Sequence, residues 1–299
     1  MRLRTAALGL VLSAGALTTV LSSAWADTVA ERDAKGGAAR QTALRVRPGE
    51  VFIVRAPTGK GLPESALFLG KRYPAIALGG EPLPLFLLGT DLDVKPGRET
   101  VLIARSGGEE QRLGVEIVTR AFPEERLTLP PAMVTPPKEL EERIAREQEL
   151  AAEVYRSSGG AALWERGFTR SLGQKAAGNF GRRRILNGIP KSPHAGQDYT
   201  APAGTPVQAI AAGRVRLARD FYYSGLTLLI DHGAGLVSQY LHLEKTLVAE
   251  GEIVAAGQVI GRVGSTGRAT GPHLHLGARL FEQRVDPETL WGLFAGEKR

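Results

Sequence analysis

Apolar residues in the first half of the chain fall in short runs bounded by turn residues. Val51-Phe52-Ile53-Val54 follows Pro48-Gly49, and further runs cover Ala66 to Leu69 and Leu85 to Leu88. Lys95-Pro96-Gly97 precedes Thr100 to Ala104, and beyond Gly107-Gly108 the residues Leu113, Val115 and Ile117 alternate with polar neighbours. Short runs at regular spacing between Pro/Gly turns predict a β-sandwich-like domain over residues 43–120. Asp91 and Asp93 fall in a polar turn, with too few oxygen ligands around them for calcium.

The period changes after Pro130-Pro131 and Pro136-Pro137, which punctuate a linker over 121–178. Leu140, Ile144, Ala151 and Val154 recur at helical spacing, and Glu139, Glu141 and Glu142 suit a helix N-terminus. One amphipathic helix is predicted from Pro136 to Arg156, capped by Thr135 and packed on the chain's own domains. Ser157 to Gly178 carries no clear period.

From Asn179 the strand pattern returns, in Val207 to Ile210, Arg214 to Ala218, Leu226 to Ile230, Leu236 to Leu241, Val259 to Val263 and Leu274 to Leu280. Glycines punctuate these runs, so residues 179–292 are predicted to form a mostly antiparallel β domain. The fold class is mainly β: an N-terminal sandwich, a linker helix and a C-terminal β domain.

A length of 299 residues fits two such domains, and 43% apolar with 23% charged residues excludes a wholly disordered chain. The absence of cysteine excludes a disulfide scaffold, a cysteine-ligated zinc site and a cysteine nucleophile. Arg2 and Arg4, the apolar run Ala6 to Val20, and Ala24-Trp25-Ala26 form a secretory signal pattern over residues 1–26. The chain is therefore expected to be exported to the periplasm or cell envelope, with no stable membrane span after signal cleavage. Lys and Arg number 38 against 31 Asp and Glu, so without the two signal arginines the excess is 36 − 31 = 5. A mild positive balance suits an anionic polymer. Nucleic acid is not expected, because basic and aromatic residues do not interleave.

The candidate chemistry lies in the histidines. All five fall between His194 and His275, an arrangement that random scatter gives with odds on the order of a few in a thousand, which points to a site. His194 and Asp198 are four apart among Pro and Gly, and His273 and His275 are two apart in a strand pattern. Both spacings put side chains on one face of an extended chain. Imidazoles and a carboxylate projected from strands, with one position left open, make a catalytic zinc environment. His242 follows Tyr240 by two and is predicted to share its face. With no Glu or Asp beside the ligand-type motifs, a histidine is the natural proton carrier. His232, at a strand end in Asp231-His232-Gly233, reads as a structural turn residue.

From about Phe180 to Leu290 the chain resembles the lysostaphin-type (LytM-domain) zinc metallopeptidases, which cut peptidoglycan cross-links. The resemblance rests on Gly181-Arg182-Arg183, Asn187-Gly188, His194-x-x-x-Asp198, Asp231-His232-Gly233, Tyr240-x-His242-Leu243, Gly257-Gln258-x-Ile260-Gly261, Gly264-Ser265-Thr266-Gly267, Gly271-Pro272-His273-Leu274-His275 and Asp286-Pro287. It implies a LytM-type catalytic fold, Zn2+ held by His194, Asp198 and His275, and catalytic roles for His242 and His273. It implies peptidoglycan stem peptides and cross-bridges as partners, and the D-Ala to diaminopimelate bond as the expected target. Gln197 and Leu276 stand where the family more often has an apolar and an aromatic residue. Asn187 is either a groove residue or an Asn-Gly turn, and Tyr240 is expected to pack rather than touch substrate. The linker and helix ahead of this domain raise the hypothesis that the N-terminal region covers the groove and holds it latent. The rival reading, a catalytically inactive peptidoglycan-binding protein or activator of a cell-wall amidase, is disfavoured because every motif residue is present. A lipoyl-type hairpin is disfavoured because no lysine stands at the turn tip.

Overall fold

A computed structural model describes residues 43–79, 83–165 and 167–294; the predicted signal segment lies outside them. Among the described residues no helix is long and apolar enough to cross a membrane.

The N-terminal unit contains β1 (Leu44–Val46), β2 (Val51–Arg55), β3 (Pro63–Phe68), β4 (Lys71–Pro74), β5 (Leu85–Gly89), β6 (Gly97–Arg105) and β7 (Glu110–Ile117). Five of these form one sheet in the order β1-β7-β6-β3-β4, and β2 pairs with β5 beside it. Alternation drives the layering: Val101 and Ile103 point into the core from β6, as do Val115 and Ile117 from β7. The strand β4 is polar in sequence and escapes the pattern. It forms because Leu69 and Gly70 take positive φ angles of 48° and 74°, the geometry of a tight hairpin turn.

The linker differs from expectation. Thr135 does not cap a helix at Pro136, since Thr135 and Pro136 each precede a proline and are pushed out of the helical region. Thr135 is extended at φ −124° and ψ 98°, and it closes a short helix α1 (Pro131–Val134). A 3-10 turn at Lys138–Leu140 then leads into α2 (Glu141–Ser157). The segments on either side of the helices pair with the rest of the chain. The strand β8 (Glu124–Leu127) pairs in parallel with β9 (Arg183–Leu186). Leu163 N–H donates to His232 O, Thr169 to Ile210 O and Ala177 to Asp198 O, so residues 158–165 and 167–178 are sewn onto the C-terminal domain.

That domain continues with β10 (Ile189–Pro190), β11 (Gly196–Thr200), β12 (Pro206–Gln208), β13 (Gly213–Phe221), β14 (Gly225–Asp231), β15 (Leu236–Thr246), β16 (Ile253–Val254), β17 (Val259–Val263), β18 (His273–Leu280) and β19 (Gln283–Val285). Its main sheet runs β11-β18-β15-β14-β13-β16, all antiparallel. Asn187 and Gly188, at φ 50° and 81°, make the β9–β10 turn. The Asn187 carboxamide is clamped on the backbone of Leu129 (2.8 and 2.9 Å), so Asn187 belongs to a turn.

The two units share one hydrophobic core running from Val46 to Leu290. Polar contacts fix their docking: Tyr73 donates to Gln283 Oε1 (2.7 Å), and Arg284 pairs with Asp91 (2.5 Å) and Asp93 (2.6 Å). The Asp91/Asp93 turn is thus a domain clamp.

Candidate metal centre

Paired residues of neighbouring antiparallel strands share a face of the sheet. The register pairs Gly196 with Gly277, Gly277 with Gln239 and Gln239 with Leu229; it also pairs Asp198 with His275 and His275 with Leu241. Asp198, His273, His275, Leu241, Gln239 and Leu229 therefore project from one face. The opposite face carries Gln197, Leu276, Tyr240 and Leu228 into the core. Tyr240 is fully buried there, and its hydroxyl accepts from Ile210 N–H (2.9 Å). It packs, as expected.

His242 does not share the face of Tyr240, contrary to its spacing. The β14–β15 register slips between Leu226 and Leu228, and His242 takes a positive φ of 61°. This bulge re-aims His242 to the face that carries His275. The Gly264-Ser265-Thr266-Gly267 loop holds the bulge in place. Thr266 Oγ1 donates to Leu243 O (2.8 Å) and accepts from Leu226 N–H (2.9 Å), while Thr266 O lies 2.9 Å from His242 Nδ1. Glycine is needed at 264 for this approach, because a Cβ there would sit 2.3 Å from Glu244 N.

Three atoms converge beside the bulge. His194 Nε2 lies 2.7 Å from His275 Nδ1 and 3.1 Å from Asp198 Oδ1, and His275 Nδ1 lies 2.9 Å from that oxygen. Among the described residues these three side chains form the one cluster able to hold a metal ion. The donor set fits zinc. His194 Nδ1 faces the Asn179 carbonyl (3.1 Å), which can only accept, so Nε2 is left with its lone pair toward the cluster. Two imidazoles and one carboxylate oxygen then occupy three corners and leave a fourth open. Burial opposes ionisation of Asp198, yet the neighbouring His194 and His275 rings hold its carboxyl well below the usual range. Burial pushes His275 down to about 3, against the pull of Asp198. Both shifts favour the forms that bind metal.

His242 and His273 stand next to the cluster, their ring centres 4.8 Å apart. His273 Nδ1 faces Gly271 O (2.8 Å), and its Nε2 lies 3.9 Å from Asp198 Oδ1. In both rings a carbonyl takes the Nδ1 proton and leaves Nε2 as the free base. Burial lowers His242 to about 4, with the Thr266 carbonyl opposing and His273 adding to the shift. His232 is apart from all of these. It is fully buried between Ala212 O (2.8 Å) and Ser238 Oγ (2.7 Å), a structural residue as its turn position suggests.

Asn179 carries no signal in the sequence motifs, although it sits just before Gly181-Arg182-Arg183. It reaches the cluster around the edge strand β11. Its Nδ2 donates to Asp198 Oδ2 (2.7 Å) and its Oδ1 accepts from Asp198 N–H (3.1 Å). Its own N–H donates to Gln197 Oε1 (3.0 Å), and Gln197 Nε2 donates to Asp286 Oδ1 (3.0 Å). Arg120 closes the chain on Asp286 Oδ2 at 2.7 Å. The unexpected glutamine at 197 is thus accounted for by a polar chain behind the cluster.

The helix α2 lies on the same sheet face. Val154 packs on Leu217, Phe221, Leu229 and Val237. A cavity of about 210 Å³ remains between α2 and the sheet, bounded by Tyr155, Leu229, Gln239 and Leu241. Leu241 is the cross-strand neighbour of His275. Ahead of α2, Ala132 O accepts from the Tyr222 hydroxyl (2.8 Å) and Met133 O from Arg268 (3.2 Å).

Residues 192–287 match the profile of peptidase family M23. The peptidoglycan DD-endopeptidase ShyA of Vibrio cholerae is 45% identical over 103 residues, 34% of this chain and 24% of that protein. The DD-carboxypeptidase/endopeptidase Mpg of Neisseria meningitidis is 48% identical over 94 residues, 31% of this chain and 22% of that protein. The chain thus spans about a quarter of the length of these curated relatives. A candidate M23 peptidase of Pseudomonas aeruginosa has a solved structure that aligns over 83% of this chain and 95% of its own, with 31% identity and a TM-score of 0.63. That alignment extends well beyond the matched peptidase segment.

Proposed function

The chain belongs to peptidase family M23, and we propose that it is an exported zinc metalloendopeptidase that hydrolyses peptide cross-links of bacterial peptidoglycan, at the D-Ala to diaminopimelate bond. One observation carries the reading: His194, Asp198 and His275 converge within hydrogen-bond distance of one another, with His242 and His273 beside them. The relatives named for DD-endopeptidase activity support the substrate class. The signal pattern over residues 1–26 supports export to the periplasm or envelope.

His194 Nε2, Asp198 Oδ1 and His275 Nδ1 would hold the zinc ion, which supplies Lewis acidity toward an amide carbonyl and toward water. The remaining work belongs to the chain. The sheet floor, with Leu241 and Gln239, receives the peptide. His242 and His273, each anchored at Nδ1 by a backbone carbonyl, present Nε2 as base and later as acid. One takes the proton of the attacking water at Nε2, and the ring that carries this proton steadies the oxyanion and returns it to the departing amine. The lowered pKa of His242 keeps it neutral, and so able to accept a proton, across the neutral range.

The same arrangement bears on regulation. The N-terminal region holds the groove partly closed, supported by the docking of α2 on the ligand-bearing face and of α1 on Tyr222 and Arg268. The activity is tested by incubating the purified chain with cross-linked muropeptides and weighing the products. Cleavage that is lost in His242→Ala and in His273→Ala supports the roles assigned to the two histidines. Full cleavage by both variants refutes them.

A further inference from the structure

Asp198 has two carboxylate oxygens, and they have different company. Oδ1 faces His194, His275 and His273, whereas Oδ2 is held by the Asn179 carboxamide at 2.7 Å. The same residue's carbonyl accepts from His194 Nδ1 at 3.1 Å and fixes which nitrogen of that ring turns inward. Asn179 therefore governs two of the three converging side chains, one through its side chain and one through its backbone. It is itself immobilised. It is 7% exposed, and Gln197, Asp286 and Arg120 hold it from behind.

We infer that Asn179 is a positioning residue of the metal centre, one that makes Asp198 a single-oxygen ligand and keeps the fourth corner open. This inference rests on zinc being the metal at His194, Asp198 and His275. A carboxylate released at Oδ2 is free to swing and offer both oxygens, which would crowd the corner meant for substrate. Partners behind metal ligands of this kind carry factors of about 10–100 in affinity or activity.

The test uses the full mature chain, from Asp27, with Asn179→Ala and Asn179→Leu. The leucine has the same number of side-chain heavy atoms and the same branching as asparagine, and guards against a cavity effect. Both variants keep the backbone carbonyl that serves His194. Zinc affinity is read by competition with a chromophoric chelator, folding by thermal unfolding of the metal-free chain, and ligand geometry by the visible absorption of the cobalt(II) form. Both variants should fold, bind zinc about 10–100-fold more weakly, and show weakened cobalt bands as the site leaves four-coordination. Wild-type zinc affinity and an unchanged cobalt spectrum in both variants would overturn the inference and reduce Asn179 to a structural contact. Absence of zinc binding by the wild-type chain is a different result; it removes the metal-centre reading and this inference with it.

Discussion

Loosening α2 should raise activity. Val154 and Ile144 are the buried residues of the helix, 7% and 8% exposed, and Val154 rests on Leu217, Phe221, Leu229 and Val237. Val154→Ala removes two methyl groups, about 1.6 kcal/mol by transfer and about 2 kcal/mol with the space left behind. Ile144→Ala removes more, about 3 kcal/mol. If the helix must lift before a cross-link reaches the sheet floor, each 1.4 kcal/mol lost from docking multiplies the open fraction about tenfold, so Val154→Ala alone gives about 30-fold. The gain holds only while the closed form dominates, so the double variant should approach a plateau. The assay is the initial rate of muropeptide cleavage, with zinc content measured on the same samples. The thermal midpoint should fall while the rate rises, an opposition that simple damage to the fold does not produce. Equal or slower cleavage by variants that retain zinc would refute the covering role of α2.

Two further outcomes follow from the same geometry. Gly196→Ala would put a Cβ 2.4 Å from His275 Nε2 and 2.6 Å from Leu276 O, so His275 must move. The expected result is about 1–3 kcal/mol of lost stability together with weakened zinc binding, and unchanged affinity on calorimetric titration would contradict this packing. The second concerns pH. Burial lowers His232 from 6.5 in the unfolded chain to about 4, so the unfolded state takes up the proton first. Its contribution is complete above pH 6.5 and is lost as pH falls toward 4, amounting to about 2 kcal/mol between pH 7 and pH 5. His242 and His275 act in the same direction. Denaturant unfolding should therefore show lower stability at pH 5 than at pH 7, and His232→Phe should flatten the dependence. An equal slope in that variant would exclude His232 as its source.

Much of this arrangement is legible in residue order. Period-two alternation locates the main strands, and His273-x-His275 names side chains that share a face because the spacing is even within a strand, whereas His194 precedes β11 and reaches Asp198 from outside the sheet. The motif finds His242, but alternation places it on the wrong face, since a bulge adds a residue that alternation does not count. Asn179 is invisible because its role depends on wrapping the edge strand β11, a contact no local spacing encodes. The strand β8 is short and rich in charge, so only its pairing with β9 defines it. The start of α2 is hidden because two consecutive prolines resemble one helix signal, although each also removes its predecessor from the helical region. Asp91 and Asp93 look like a lone turn because Arg284 lies far along the sequence.

The proposed peptidase depends on one zinc ion held by His194, Asp198 and His275. Titrating the metal-free mature chain with zinc, while following muropeptide cleavage in the same samples, tests it most directly. Activity should rise linearly and break at one equivalent, and His275→Ala should neither bind nor cleave over that range. Cleavage by the metal-free chain, or tight binding of one zinc by His275→Ala, would contradict the claim.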